Sequence, residues 1–113
     1  MSLDLSILNS YREYMGEDAD TFIQEIIDAF CTGAPLLLDT LEKSLAKDDA
    51  EAFVRAAHTL KSNCATVGAT ELTALCAGME QEGKVGDIQN LGDKVSQARD
   101  ELTRVLALLK KQG

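Results

Sequence analysis

His58 is the only histidine in this 113-residue chain, and its type and neighbours suit phosphoryl chemistry. A neutral imidazole is a capable nucleophile near neutral pH, its ordinary pKa being about 6.5. One ring nitrogen can attack a phosphoryl group and form a phosphoramidate of high transfer potential, splitting a transfer into two easier steps. Lys61, three residues on, shares the helical face and can offset phosphate charge. Ser62, Ala65 and Gly68 follow with small side chains, which leave the imidazole approachable by something bulky. The means of charging this histidine from ATP are missing. The sequence has no G-x-x-x-x-G-K-[ST] loop, no G-x-G-x-x-G and no evident carboxylate cluster for magnesium beside a nucleotide. Such a histidine can hold a phosphoryl group but needs another protein to supply it.

The elements that must position His58 read as helices. Proline occurs once, and the apolar residues recur at helical spacing rather than alternating. Leu8, Tyr11 and Met15 predict a short first helix ending at Gly16. A second helix starts near Asp18 or Asp20 and carries Phe22, Ile23, Ile26, Ile27 and Phe30, continued by Leu37, Leu38, Leu41 and Leu45. Pro35 lies inside this run and predicts a kink or break near Gly33. Asp48 with Glu51 resembles a capping box for a third helix running from about Asp49 to Val67. Its core seam is Phe53, Ala57, Leu60, Cys64 and Val67. His58 follows Ala57 and therefore points off the core edge, at about 100° per residue. A fourth helix with Leu72, Leu75, Cys76 and Met79 stops before Gly83. Asp87 caps a fifth, along which Ile88, Leu91, Val95, Ala98, Leu102, Val105 and Leu109 step by three and four. The expected architecture is all-α: one domain over residues 1–113, an antiparallel four-helix bundle with an additional short N-terminal helix as a lid.

Composition narrows the field. With 45% apolar and 27% charged residues the chain is an ordinary globular sequence, long enough for one core without metal or disulfide staples. Its net charge is −8, which disfavours nucleic acid and anionic membranes, since both need clustered Lys and Arg. The acidity is uneven: residues 1–57 carry net −8 and residues 58–113 net 0. Cys31, Cys64 and Cys76 form no C-x-x-C pair and read as small buried hydrophobes of a reducing cytoplasm. No run of about 20 consecutive apolar residues suggests a membrane span, and the N-terminus does not read as a secretory signal.

The stretch AAHTLKSNCATVGA followed by ELTALCAGME resembles the histidine-containing phosphotransfer (HPt) domains of two-component phosphorelays. The family pattern is roughly A-H-x-L-K-G, small residues, a glycine ten after the histidine, and a second amphipathic helix ending in Met/Leu-Glu. His58 stands at the phosphoacceptor position, Leu60 and Lys61 match the Leu-Lys, Cys64 and Ala65 fill small positions, Gly68 is the spaced glycine, and Met79-Glu80 closes the next helix. Ser62 departs from the common glycine. The resemblance implies a four-helix bundle with an exposed histidine that accepts a phosphoryl group from a receiver-domain aspartate and passes it to another. It implies that Lys61 balances phosphate charge, that Ser62 and Ala65 leave room for the receiver, that Gly68, counted with them among the docking residues, allows close helix packing or a helix end near the site, and that the domain has no cofactor of its own, Mg2+ belonging to the receiver. The implied partners are receiver domains of response regulators and hybrid histidine kinases, met by a cytoplasmic monomer that is a phosphocarrier and not an enzyme.

Other readings are weaker. A histidine-kinase dimerisation domain usually has an acid after the histidine and a proline shortly beyond; here Thr59 follows, and no proline occurs after Pro35. The phosphoacceptor domain of chemotaxis-type kinases shares fold and motif and stays open as an alternative, as does an interaction bundle in which His58 is incidental. A metal-binding bundle needs Glu-x-x-His pairs from several helices, whereas Arg55 sits three before the lone histidine.

Overall fold

The computed structural model describes residues 1–112. Five helices follow one another: α1 (Leu5–Met15), α2 (Ala19–Ala46), α3 (Ala50–Val67), α4 (Thr70–Lys84) and α5 (Gly92–Lys110), with a single 3-10 turn at Gly16–Asp18. Helices α2 to α5 form a four-helix bundle, each packed on its two neighbours around the ring, while α1 lies across α2 and α3. The bundle is a rod of 47 × 22 × 21 Å. Its core comes from the stripes the periodicity marks: Phe30, Ala34, Leu38 and Leu41 of α2, Phe53, Leu60 and Cys64 of α3, Leu72, Cys76 and Met79 of α4, and Val95, Ala98, Leu102, Val105 and Leu109 of α5.

Pro35 neither breaks nor divides the second helix. Helix α2 runs for 28 residues through it. Proline in a helix interior costs about 3 kcal/mol, but Ala34 and Leu38 on either side are fully buried, and that packing holds the helix together. The same stretch has an apolar window of mean hydropathy 1.3, long and apolar enough by composition alone to cross a membrane. In the bundle its Ile23, Ile27, Phe30, Ala34 and Leu38 supply core.

The ends of α3 decide how His58 is presented. The N-cap is Asp49, whose side chain accepts from the Ala52 N–H at 3.1 Å. The cap therefore lies one residue later than expected and the capping box does not form, since Ala52 stands where the box needs Glu or Gln; Asp48 takes a left-handed turn with φ 55° and accepts from Gln89 Nε2 at 2.7 Å. At the other end Gly68 closes α3 with φ 83°. A Cβ there would stand 2.5 Å from the Asp4 carbonyl oxygen. Its own carbonyl accepts from the Asp4 N–H at 2.7 Å, and Tyr11 Oη donates to the Thr66 carbonyl at 2.9 Å. Gly68 thus seats the N-terminal segment against α3.

Two boundaries differ from the periodic reading. Helix α4 continues through Gly83 to Lys84, where Gly83 is buried and a Cβ would meet Val54 Cγ2 at 2.8 Å. Helix α5 starts at Gly92; Asp87 instead caps the preceding turn by accepting from the Gln89 N–H at 3.1 Å, and Ile88 and Leu91 are buried ahead of the helix. The cysteines are all free. Cys64 and Cys76 are buried, and hydrogen bonding to Cys76 together with burial pushes the Cys64 thiol far above its ordinary range, so it is an inert thiol.

Candidate functional site around His58

His58 lies midway along α3 with its side chain 60% exposed. The seam residues Ala57 and Leu60 are fully buried, so the imidazole rises from the rim of the core and not from its centre. Its Nδ1 stands 2.9 Å from Oε2 of Glu80 on α4. Glu80 is only 6% exposed. Lys61 Nζ donates to Glu80 Oε1 at 2.6 Å, and Lys84 Nζ is 3.3 Å from Oε2. One buried carboxylate therefore gathers the histidine and two lysines from two helices.

The electrostatics follow from this geometry. Lys61, hydrogen bonded to Glu80, contributes most to holding that carboxyl down at about 2; burial works the other way, and His58 and Lys84 add to the lowering. Glu80 is therefore an anion at neutral pH, with acceptor oxygens only. A neutral imidazole can pair with it only by donating, so Nδ1 carries the proton. That leaves Nε2 as the nitrogen with a free lone pair, on a ring whose side chain is exposed. Oriented acceptors of this kind set the tautomer of a functional histidine. Two lysines share one carboxylate, so the cluster that holds Nδ1 has a surplus of positive charge in a molecule of net −8.

The structure brings together His58 and Lys61 as the motif suggested. Ser62 and Ala65 are exposed on the same helix, beyond His58. Gly68 is different: it is buried under the N-terminal segment, and it lines no open docking face. Its contribution is a close approach between α3 and the chain before α1.

Glu80 and Lys84 carry roles that the spacing of residues around His58 does not reveal. Glu80 appears in the sequence only as the end of a helix motif. One signal was available: Glu80 falls within the apolar stripe Leu72, Cys76, Met79 and Gly83, four residues after one member and three before another. An acid in such a stripe is costly to bury unless it is paired. What pairs with it, 22 residues earlier in the chain, depends on how α3 and α4 pack.

Toward the C-terminal end of α3, α2 presents an apolar line. Ile26, Ala29 and Phe30 form a hollow with Asn63, Thr66 and Val67 of α3. Among the described residues no cluster of His, Cys, Asp and Glu is arranged to hold a metal ion.

The family model described as "Hpt domain" matches residues 25–108. Sensor protein TorS of Escherichia coli (strain K12) is 40% identical over 81 residues, covering 72% of this chain. This chain spans only 8% of that protein's length. Among solved structures, histidine-containing phosphotransfer protein B (HptB) from Pseudomonas aeruginosa PAO1 superposes with a TM-score of 0.86 at 26% identity, covering 98% of this chain and 93% of that one. The HPT domain of an Hpt sensor hybrid histidine kinase from Shewanella has the same fold, with a TM-score of 0.76 at 18% identity and coverage of 97% and 92%.

Proposed function

Since this chain belongs to the Hpt domain family, we propose that it is a phosphorelay intermediate: His58 accepts a phosphoryl group from the aspartate of one receiver domain and passes it to the aspartate of another. The observation that supports this reading is an exposed imidazole whose Nδ1 is tied to a buried, ionised carboxylate, which leaves Nε2 as the free nitrogen.

The step balances without a base. The Nε2 lone pair attacks phosphorus, the bond from phosphorus to the aspartate oxygen breaks, and the aspartate leaves as a carboxylate. The ring gains positive charge and keeps its Nδ1 proton, which it donates to Glu80. Glu80 therefore stabilises charge that develops during transfer, an electrostatic contribution already in place before reaction. Lys61 offsets charge on the phosphoryl oxygens. In return transfer the ring leaves as a neutral imidazole. Magnesium and the acids that hold it are contributed by the receiver, and this chain is a carrier without a kinase site.

Docking uses the surface around His58: Ser62 and Ala65 of α3, with Ile26 and Ala29 of α2 alongside. A small, partly apolar footprint suits brief exchange with more than one receiver, since transient encounters bury less than about 1,200 Å² in total. We place this exchange in the cytoplasm, on the support of three unpaired cysteines, with the domain acting as a monomer.

The test is incubation with a phosphorylated receiver, followed by assay for acid-labile, base-stable phosphate on this chain. Wild type becomes labelled and His58→Gln, still folded, does not. Equal labelling of the two would remove the carrier role and leave a helical interaction module. Lys61→Ala is expected to fold normally and to transfer about tenfold more slowly, the low end for loss of a charge-assisted hydrogen bond. An unchanged rate in stopped-flow transfer would remove Lys61 from the chemistry.

A further inference from the structure

Ser62 stands where the family pattern carries glycine, and its hydroxyl is unused. Elsewhere in the helices Thr40, Ser44, Thr66, Thr73 and Thr103 each donate to the carbonyl four residues back. Ser62 does not; its carbonyl accepts from Thr66 Oγ1 at 3.1 Å, while its own Oγ has no partner among the described residues. The side chain is exposed one turn beyond His58. Helical side chains lean toward the N-terminus, so this hydroxyl leans back over the turn that carries the imidazole. Lys61 lies about 60° to one side of His58 around the helix and Ser62 about 40° to the other. Lys61 is on the α4 side, because it reaches Glu80. On the flank opposite Lys61 stand Arg55, three residues before His58 and paired with Glu51 at 3.5 Å, and Ser62, whose hydroxyl is unpaired.

We propose that the Ser62 hydroxyl binds the phosphoryl group of phosphorylated His58, donating a hydrogen bond to a phosphoryl oxygen on the flank opposite Lys61. This rests on His58 being the carrier. No bond to Ser62 forms or breaks; the hydroxyl keeps its proton and donates it to an oxygen already bound to phosphorus. Hydrolysis of the phosphohistidine passes through a loose transition state in which the phosphoryl group resembles metaphosphate. A donor to those oxygens favours the dianionic ground state over the less charged transition state, so Ser62 lengthens the life of the stored phosphoryl group. Its hydroxyl thus sets how long the carrier stays charged between partners.

The experiment uses phosphoramidate, a small donor that needs no docking surface, to label the full chain, with His58→Gln as the blank. After removal of the donor, the phosphohistidine half-life is followed by 31P NMR for wild type, Ser62→Ala and Ser62→Thr. Melting temperatures check that all three stay folded. The proposal expects Ser62→Ala to shorten the half-life about threefold, in the range of one neutral hydrogen bond, and Ser62→Thr to restore it. A half-life in Ser62→Ala equal to wild type overturns the proposal and leaves His58 as carrier, and so does a Ser62→Thr that decays like the alanine variant. Failure of phosphoramidate to label wild type above the His58→Gln blank overturns the carrier reading and this inference together.

Discussion

Glu80 on α4 and Glu101 on α5 are both nearly inaccessible, at 6% and 2% side-chain exposure, but their surroundings are opposite. Glu80 is met by three nitrogens: His58 Nδ1, Lys61 Nζ and Lys84 Nζ. Glu101 is met by one, Arg104 Nε at 2.8 Å, and its Oε2 has no hydrogen-bond partner among the described residues. Burying a carboxylate is costly either way. At Glu80 the cost is offset by pairing, and the product is a charged, rigid acceptor under a solvent-reachable imidazole. At Glu101 much of the cost is left standing. Burial alone therefore does not distinguish the two acids; what sets Glu80 apart is that its partners come from two helices and include the His58 imidazole.

The largest expected consequence of this difference is kinetic. Glu80→Ala should slow phosphotransfer to His58 by about 100-fold, because the ring loses both its tautomer and its aim, and small misplacements of a reacting group cost on that order. Glu101→Ala should leave the rate unchanged. Quench-flow transfer from a phosphorylated receiver checks both, and equal effects of the two substitutions would dissolve the contrast.

A second consequence is seen in acid. The Glu80 carboxyl sits at about 2 when folded, below its ordinary 4.5, so the folded state binds its proton less readily than the unfolded state does. Its contribution to stability is therefore complete above about pH 4.5 and is lost as pH falls toward 2. Denaturation midpoints of wild type and Glu80→Gln, measured across pH, should differ at neutral pH and converge within that window. A gap that stayed constant from pH 7 to pH 2 would show that the carboxylate charge is not what stabilises the site.

The smallest effect is at Glu101. Replacing it with leucine removes an unpartnered buried oxygen and frees Arg104, whose side chain is 61% exposed and returns to water. Glu101→Leu should be neutral or stabilise the protein by up to about 1 kcal/mol, read as a denaturation midpoint at or above wild type. Clear destabilisation would mean that Glu101 has support equal to that of Glu80.

Much of this molecule is legible along the chain. The three-four stepping of Phe53, Ala57, Leu60, Cys64 and Val67 places His58 at the edge of a core face, and the side chain is exposed there. Lys61 on the neighbouring flank follows from the same arithmetic. At Pro35 the sequence allowed a kinked helix or a broken one, and core contacts on both sides of it keep the helix continuous. Gly68 is legible in part, as a helix end and a place of close packing. Its position ten after the histidine does not say what packs there; the answer is the Asp4 carbonyl, supplied by chain 64 residues earlier.

Helical periodicity, the class of fold and the placing of the lone histidine on a solvent flank could be read along the chain, because each depends on residues within a turn or two of one another. Lys84, one turn after Glu80 on the same helix, was within reach by spacing; the packing of helices decided the pairing of Glu80 with His58 and Lys61, and the lack of cross-helix partners at Glu101 among the described residues. Both acids interrupt apolar stripes in the sequence and look alike there. Only the register of α3 against α4 puts nitrogens opposite the first, and side-chain spacing within one helix carries no information about that register.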